Sequence, residues 1–346
     1  MSDTRRFHVF RRQERSGITA YAEVFHDLVL DPCGYEVLDP EAVITGRFRP
    51  RSDDEFHVQL GIFQHPERLA LSTLQRHRSR AIDATLHDPP FTSFPYFAFQ
   101  SAALNRLARG FDWYARSLGL QGRAIKRLRR AFVLSHKGAT ALLRRYPGAN
   151  VEVMPHIVDE AAIWPAAGVP PPAAALYFGF IGPNKGLERA LELHRLIRAV
   201  RPETQLHVVG AVKGRANEKY LAGLQERFSE KVTYHGFAPA SELDGIFGGA
   251  GHAILPYQSS PYVVPMSGSI LNALCRGLVC WVTPVNAIPE LIVDGENGFF
   301  LSGDATADAA RIVAVMGDPE QCLAVSRQAR ETALRLARYP YRQHFQ

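Results

Sequence analysis

Apolar residues along this chain come in short runs bounded by turn formers, and the runs are separated by longer stretches of helical period. Short apolar runs of this kind predict buried strands, and the amphipathic stretches predict helices. In the first half, strands are expected at 7–11, 35–38, 56–62, 81–86, 131–135 and 151–154, with helices at 19–30, 66–78, 97–118 and 137–145. In the second half, strands are expected at 176–181, 205–209, 232–235, 252–255 and 279–282, with helices at 187–200, 217–228, 241–247, 308–316 and 319–336. Strand–helix alternation predicts an α/β fold built on parallel sheets. Between the two series lies 161–175, AAIWPAAGVPPPAAA, whose prolines 170–172 predict a stiff linker. The reading is therefore two Rossmann-like domains, 1–160 and 176–346, with the last helix returning to the first. Open α/β sheets bind ligands at the carboxyl ends of their strands. Two facing sheets would place both sets of strand ends at a central cleft.

Composition adjusts this picture only in places. A chain of 346 residues exceeds one ordinary core and suits two domains. Hydrophobic content of 46% and charged content of 21% are those of a globular protein rather than a disordered one. No apolar stretch approaches the ~18–20 residues of a membrane span, and MSDTRRFHVFRRQERSG has no apolar segment of the kind a secretory leader carries. Cys33, Cys275, Cys280 and Cys322 form neither a CxxC pair nor a disulfide framework, so a reduced, cytoplasmic setting without a zinc site is expected. The charge is uneven. Residues 1–150 carry 23 Lys/Arg against 15 Asp/Glu, and the remainder 17 against 19, which recovers the overall +6. The excess is densest over 106–145, where Phe111, Trp113 and Tyr114 sit among Arg109, Arg116, Arg123, Lys126, Arg127, Arg129 and Arg130. Basic residues beside aromatics suit an anionic membrane surface, at roughly 1 kcal/mol per charge near it; a solvated helix with its aromatics in the core is the plainer alternative. No nucleic-acid-binding motif is present.

Candidate chemistry gathers at the ends of the expected strands. The run 251–301 contains a strand, a loop and a helix opening at Ser267, Gly268 and Ser269. A Ser/Gly helix start presents free backbone N–H groups and the positive end of a dipole, which suits a phosphate. Gly182, Pro183, Asn184, Lys185 and Gly186 also join a strand to a helix, without Walker or GxGxxG spacing; Lys185 there is a candidate diphosphate ligand. His87 and Asp88 end a strand in TLHDPP and could contact a sugar hydroxyl and act as base, or could simply pack and cap a turn. Ser16 and Gly17, Gln59 to Gly61 near His65, and Gly236 and Phe237 occupy equivalent strand ends. Each also reads as an ordinary turn or N-cap.

Taken together, FGFIGPNKG, QLHVVG, VTYHGF…SEL and HAILPY…ALCRGLVCWVT…IPELIVDGENGFF resemble the GT-B glycosyltransferases, specifically family 4 and its exopolysaccharide-assembly relatives. TLHD and AFVLSHKGATALLRRYP…VEVMPHIVD match more loosely. The resemblance implies a GT-B architecture and transfer of a hexose from a GDP- or UDP-sugar to a lipid-linked or saccharide acceptor, in polysaccharide or glycoconjugate assembly, with no metal cofactor. It places Lys185, Gly182 and the Ser267–Gly268–Ser269 turn on the diphosphate, Asn272 near the ribose, Gly236 and Phe237 at the base, and Gly17 beside the ligand. The family's two donor-helix glutamates, with seven residues between them, align with Val264 and Asn272. The basic residue after the first glycine is replaced by Pro183. A retaining mechanism therefore does not carry over. If the reaction inverts, Asp88 is the first choice of base and Glu14 the second; if it retains, His87 contacts the sugar. An epimerase or phosphorylase of the same fold, or a non-catalytic scaffold that binds nucleotide, are the alternatives.

The basic and aromatic stretch generates a direct expectation. The protein should bind vesicles of anionic lipid in a sedimentation assay, and the bound fraction should fall as salt rises. Equal binding to neutral vesicles would count against a membrane role for 106–145.

Overall fold

The short apolar runs fold as two sheets of six parallel strands each, in a computed structural model that describes residues 4–12, 16–77, 81–93, 104, 108, 111, 121–166, 173–260 and 262–346. The chain divides into one unit formed by Met1–Ile157, Ser260–Met266 and Tyr339–Gln346, and a second formed by Val158–Ser259 and Ser267–Arg338. Two excursions thus carry chain from the later half into the first unit. Tyr341 and Phe345 pack there with Phe25, Tyr35 and Phe132. Residues 260–266, read from sequence as part of the second domain, belong to the first unit; Val264 N–H donates to the carbonyl of Pro89 (2.9 Å).

The first sheet is ordered β2-β1-β3-β4-β5-β6, from β1 (Arg6–Val9), β2 (Tyr35–Leu38), β3 (Glu55–Leu60), β4 (Ala81–Leu86), β5 (Arg130–Val133) and β6 (Val151–Val153). Helices α1 (Gly17–Phe25), α2 (Pro40–Ile44), α3 (His65–Arg76), α4 (Gly122–Lys126) and α5 (His136–Arg145) accompany it. The stretch expected as one helix over 19–30 ends its regular turns at Phe25 and continues as a π-turn, His26–Leu30. Strand side chains alternate between faces. Phe7, Val9, Phe56, Val58, Leu60, Ile82, Ala84 and Leu86 fill one apolar layer. The opposite set, His8, His57, Gln59, Asp83, Thr85 and His87, is polar yet also buried.

Burial of that polar set requires internal partners. Asp83 accepts from Arg129 through both carboxylate oxygens (2.9 and 2.7 Å) and from Arg130 (2.6 Å). These two arginines belong to the stretch read as a membrane-facing basic helix. The structure instead uses them inside the first unit, because Asp83 has no other way to stay charged under cover. Arg123, Lys126, Arg127, Lys137 and Arg144 are exposed. Phe111 is exposed as well, whereas Arg106, Arg109, Trp113, Tyr114 and Arg116 lie outside the described residues, as do most of the expected helix 97–118 and prolines 170–172.

The second sheet is ordered β12-β11-β10-β7-β8-β9, from β7 (Ala175–Phe178), β8 (Leu206–Val209), β9 (Val232–Gly236), β10 (His252–Leu255), β11 (Val279–Val282) and β12 (Phe299–Phe300). Its helices are α6 (Leu187–Arg198), α7 (Arg215–Arg227), α8 (Ala240–Gly248), α9 (Gly268–Cys275), α10 (Ala305–Met316) and α11 (Pro319–Ala337). Trp281 stacks on Phe299 with ring centroids 4.5 Å apart, and its indole N–H donates to His252 Nδ1 (3.3 Å). Among the described residues no helix is long and apolar enough to cross a membrane.

The Asp83 cluster sets an acid limit on stability. Burial alone would push this carboxyl up; the guanidinium groups of Arg129 and Arg130 outweigh it and hold the group below the ordinary carboxylate range. A folded carboxyl more acidic than the unfolded one contributes stability above about pH 4, and loses it as pH falls through the folded value. Asp83→Asn is expected to cost about 3 kcal/mol at neutral pH and to flatten the loss toward about pH 3, both read from urea unfolding.

Candidate functional site

The second unit brings glycines to the ends of three neighbouring strands. β7 leads into Gly179 (φ +138), β8 into Gly210, and β9 closes on Gly236 (φ +66). Gly210 N–H donates to the carbonyl of Gly236 (2.8 Å). A Cβ at Gly210 would lie 1.7 Å from the carbonyl oxygen of Gly179, so only glycine fits. The same holds at Gly186 (φ +76), where a Cβ would stand 2.0 Å from the carbonyl oxygen of Pro256. Backbone at these strand ends is therefore bare and close-set, as a site for a flat or phosphorylated ligand needs.

Against this floor stand four side chains. Ser267 caps α9 by accepting from Ile270 N–H (3.3 Å), and its hydroxyl donates to Tyr257 Oη (3.3 Å). Ser269 sits where a Cβ on Gly179 would meet its Oγ at 2.8 Å. Lys185 Nζ lies 5.3 Å from the Tyr257 ring centroid, a cation–π distance. Burial pushes the Tyr257 phenol up, and its hydrogen bonds with Ser267 and Ser269 pull it back only in part. The neutral phenol thus sits between the helix start and the lysine. Tyr177 Oη donates to the Lys185 carbonyl (3.0 Å) and holds that turn. One ammonium, two hydroxyls and the helix start of α9 form a cationic, hydroxyl-bearing cluster of the chemistry that suits a diphosphate.

Other predicted residues of this unit stand differently. Gly182 is extended, and a Cβ there would meet only Asn217 at ordinary distance, so its backbone does not demand glycine. Phe237 is exposed beside Gly236. Asn272 lies a turn into α9; its amide donates to Gly268 O (2.9 Å) and its carbonyl accepts from Arg276 (3.1 Å), which also binds Asp244. A ribose contact from Asn272 has to compete with Arg276. Helix α8 begins at Ala240 with Pro239 at its cap position, not with Ser241.

The first unit forms its own cluster at the carboxyl ends of β3 and β4. His87 Nε2 is 2.8 Å from Gln59 Oε1, and the Tyr21 ring meets it edge-on at 4.6 Å. Burial pushes the His87 imidazole down to about 3, so it is neutral. Asp88 Oδ2 accepts from Ile62 N–H (2.8 Å) and pins the turn after β3. A Cβ on Gly61 in that turn would meet Ile18 Cδ1 at 2.4 Å and Asp88 Oδ2 at 2.9 Å, so those two side-chain ends would have to shift. Phe63, next in the turn, has φ +68 and is 63% exposed. Ser16 caps α1 by accepting from Thr19 N–H (3.1 Å), and a Cβ on Gly17 would meet open space. Glu14 lies outside the described residues.

Tyr257, Gly179 and Gly210 were not singled out from sequence. Tyr257 ends the apolar run HAILPY and reads as core; only its distance to Ser267 and Lys185 reveals it. Gly179 and Gly210 each directly follow a strand, a signal present in the sequence but shared by many turns.

Residues 166–332 match the family described as Glycosyl transferases group 1. No curated protein matches the sequence at a significant level. Among solved structures, sucrose-phosphate synthase from Thermosynechococcus elongatus is 15% identical with a TM-score of 0.71, over 96% of this chain and 95% of that one. HepE from Anabaena, solved with UDP and glucose, is 13% identical with a TM-score of 0.70, over 99% and 98%. The pneumococcal O-GlcNAc transferase GtfA, solved with UDP and GlcNAc, is 11% identical with a TM-score of 0.61, over 88% of this chain and 57% of that one. At such identities the likeness is one of fold, and that fold is GT-B.

The Asp88 turn supplies a check on the local geometry. Asp88→Ala is expected to cost about 1 kcal/mol by orphaning the Ile62 N–H. Asp88→Asn, whose amide oxygen can accept the same bond, should cost less than half as much; thermal unfolding of the two variants measures the difference.

Proposed function

We propose that this chain, which has the GT-B fold and matches the glycosyl transferases group 1 family over residues 166–332, transfers a hexose from a nucleotide diphosphate sugar to a lipid-linked or saccharide acceptor. The observation that carries this reading is the convergence of Lys185, Tyr257, Ser267 and Ser269 on the opening turn of α9, against the bare backbone of Gly179. In this reading the diphosphate rests on the N–H groups of α9 and on Lys185. Their positive field supports the departing nucleotide diphosphate, and positioning does much of the remaining work. Gly236 and Phe237 receive the base. UDP is the first nucleotide to test, because HepE and GtfA, of the same fold, were captured with UDP.

The first unit's cluster supplies the acceptor-side chemistry. Asp88 is the base if the reaction inverts, and neutral His87 contacts a sugar hydroxyl if it retains. Val264 and Asn272 replace the two glutamates that the family 4 pattern places at the donor helix. The donor sugar's hydroxyls therefore rely on other groups, and the mechanism need not follow that of family 4. Association with an anionic membrane through the exposed basic residues of α4 and α5 would bring the enzyme to a lipid-linked acceptor.

Thermal unfolding against UDP-, GDP- and ADP-sugars, for the parent and Lys185→Ala, tests the donor site. Ligand at a hundredfold its Kd stabilises by about 2.7 kcal/mol, so a shift of several degrees is expected with a UDP-sugar and none in Lys185→Ala. Binding without nucleotide release during incubation with acceptor lipids or saccharides would favour the scaffold alternative. Absence of any shift would overturn the donor site itself.

A further inference from the structure

The amino ends of the first sheet border a cavity of about 420 Å³, at the opposite edge of the sheet from His87 and Asp88. Arg6 opens β1, Tyr35 opens β2, Glu55 opens β3, and Arg129 and Arg130 stand at the start of β5. Gln343, His344 and Phe345, from the returning end of the chain, line it as well, and all of these residues belong to the first unit. The volume is that of a small-molecule site.

The charge here is unbalanced. Asp83, fully buried, takes Arg129 and Arg130 at 2.7 and 2.6 Å. Glu55 is held less closely: its Oε2 stands 3.7 Å from Arg6 Nε and 3.5 Å from Arg129 Nη2, beyond the usual reach of a charge-assisted hydrogen bond. Three guanidinium groups thus meet two carboxylates, one of them loosely, while His344 is taken by Glu152 (3.3 Å).

Donors are in surplus too. Each guanidinium carries five N–H groups. Arg6 gives Nη1 to the carbonyls of Cys33 (2.9 Å) and Phe345 (3.4 Å). Arg129 gives Nε and Nη2 to the two acids. Arg130 gives only Nη2, and its Nε is buried without a partner among the described residues. The side chains of Arg6, Arg129 and Arg130 remain 31%, 35% and 20% exposed where they line the cavity, so unspent donors stay accessible there. Rings hold two of the planes in place: Arg6 lies 5.8 Å from the Tyr35 centroid, and Arg130 lies 5.1 Å from Phe132 and 5.6 Å from Phe345. A guanidinium fixed in this way loses little freedom on meeting an oxyanion.

We propose that this cavity is a binding site for a small organic oxyanion, foremost a phosphate monoester, separate from the sites of sugar transfer. A phosphate monoester brings close to two negative charges and three acceptor oxygens, which suits three guanidinium groups with donors to spare. The organic part has room beside the neutral amides of Asn150 and Gln343. No step of this argument uses the glycosyltransferase reading.

Thermal unfolding of the full chain with glycerol 3-phosphate as probe tests the site, with glycerol and succinate at matched ionic strength as controls. At about a hundredfold its Kd the probe should raise the midpoint by several degrees, and glycerol should leave it unchanged. Arg6→Gln should weaken the probe about tenfold, as loss of one charged hydrogen bond does. Gln343→Glu, at an exposed position with its side chain in the lining, puts a carboxylate among the arginines and should abolish the response even if Arg6→Gln fails to fold. Lys185→Ala should respond as the parent does. No shift in the parent overturns the proposal, and so does a shift that survives in Gln343→Glu. A shift lost in Lys185→Ala assigns the binding to the diphosphate cluster of the second unit and overturns it too. A response to succinate larger than that to glycerol 3-phosphate overturns the choice of phosphate.

Discussion

A parallel strand covered on both faces has no solvent in reach, so every polar side chain it carries needs an internal partner. That constraint organises the first unit. One face of its sheet is apolar and could be filled by any well-packed set of similar volume. The other face carries three histidines, a glutamine, a threonine and an aspartate, all buried, and their partners have to be arranged one by one. Asp83 takes Arg129 and Arg130 at the amino-terminal side, Thr85 takes His57, and Gln59 joins His8 to His87 at the carboxyl side. A polar layer of this kind specifies geometry at some expense in stability, and it lies under the strand ends, where an α/β sheet does its chemistry.

The second unit solves a different problem. Its strand ends approach so closely that side chains are excluded at Gly210 and Gly186. What remains is backbone, one helix start and a few side chains brought in from separate segments. Lys185 comes from the turn after β7, Tyr257 from the end of β10, and Ser267 and Ser269 from the opening of α9. Apart from the two serines, which flank Gly268, these residues are distant in the chain, and the cluster exists only because β7 and β10 are neighbours in the sheet. This is a general property of doubly wound sheets. Strands distant in sequence lie side by side, and their carboxyl-end loops pool their residues.

The two clusters also show why short motifs are weak evidence taken singly. TLHD reads as a turn and as an active-site element, and the structure displays the first: Asp88 accepts from Ile62 N–H and pins the turn after β3, and His87 is packed against Gln59. Asn272, read as a ribose ligand, is drawn along its own helix by Arg276 and Gly268. Arg129 and Arg130, read as part of a basic surface, are drawn inward by a carboxylate nearly fifty residues away. In each case a charged or hydrogen-bonding partner that sequence spacing does not reveal decided the outcome.

What the sequence determined by itself was the order of the strands and of most helices between them; the short helices α2 and α4 were not expected. Among the described residues, apolar runs placed eleven of the twelve strands to within a few residues, missing only the two-residue β12, and strand–helix alternation pointed to parallel sheets. These are local signals: a strand shows as a short run of mainly apolar residues between turn formers, and a helix of one-sided burial shows its period. Tertiary structure alone decided which residues share a site. It seated Tyr257 beside Lys185, closed Gly210 against Gly179, returned 260–266 and 339–346 to the first unit, and strung Gln59 between two histidines on different strands. Those relations depend on strand order and register, and strand order is a long-range choice that no local pattern encodes.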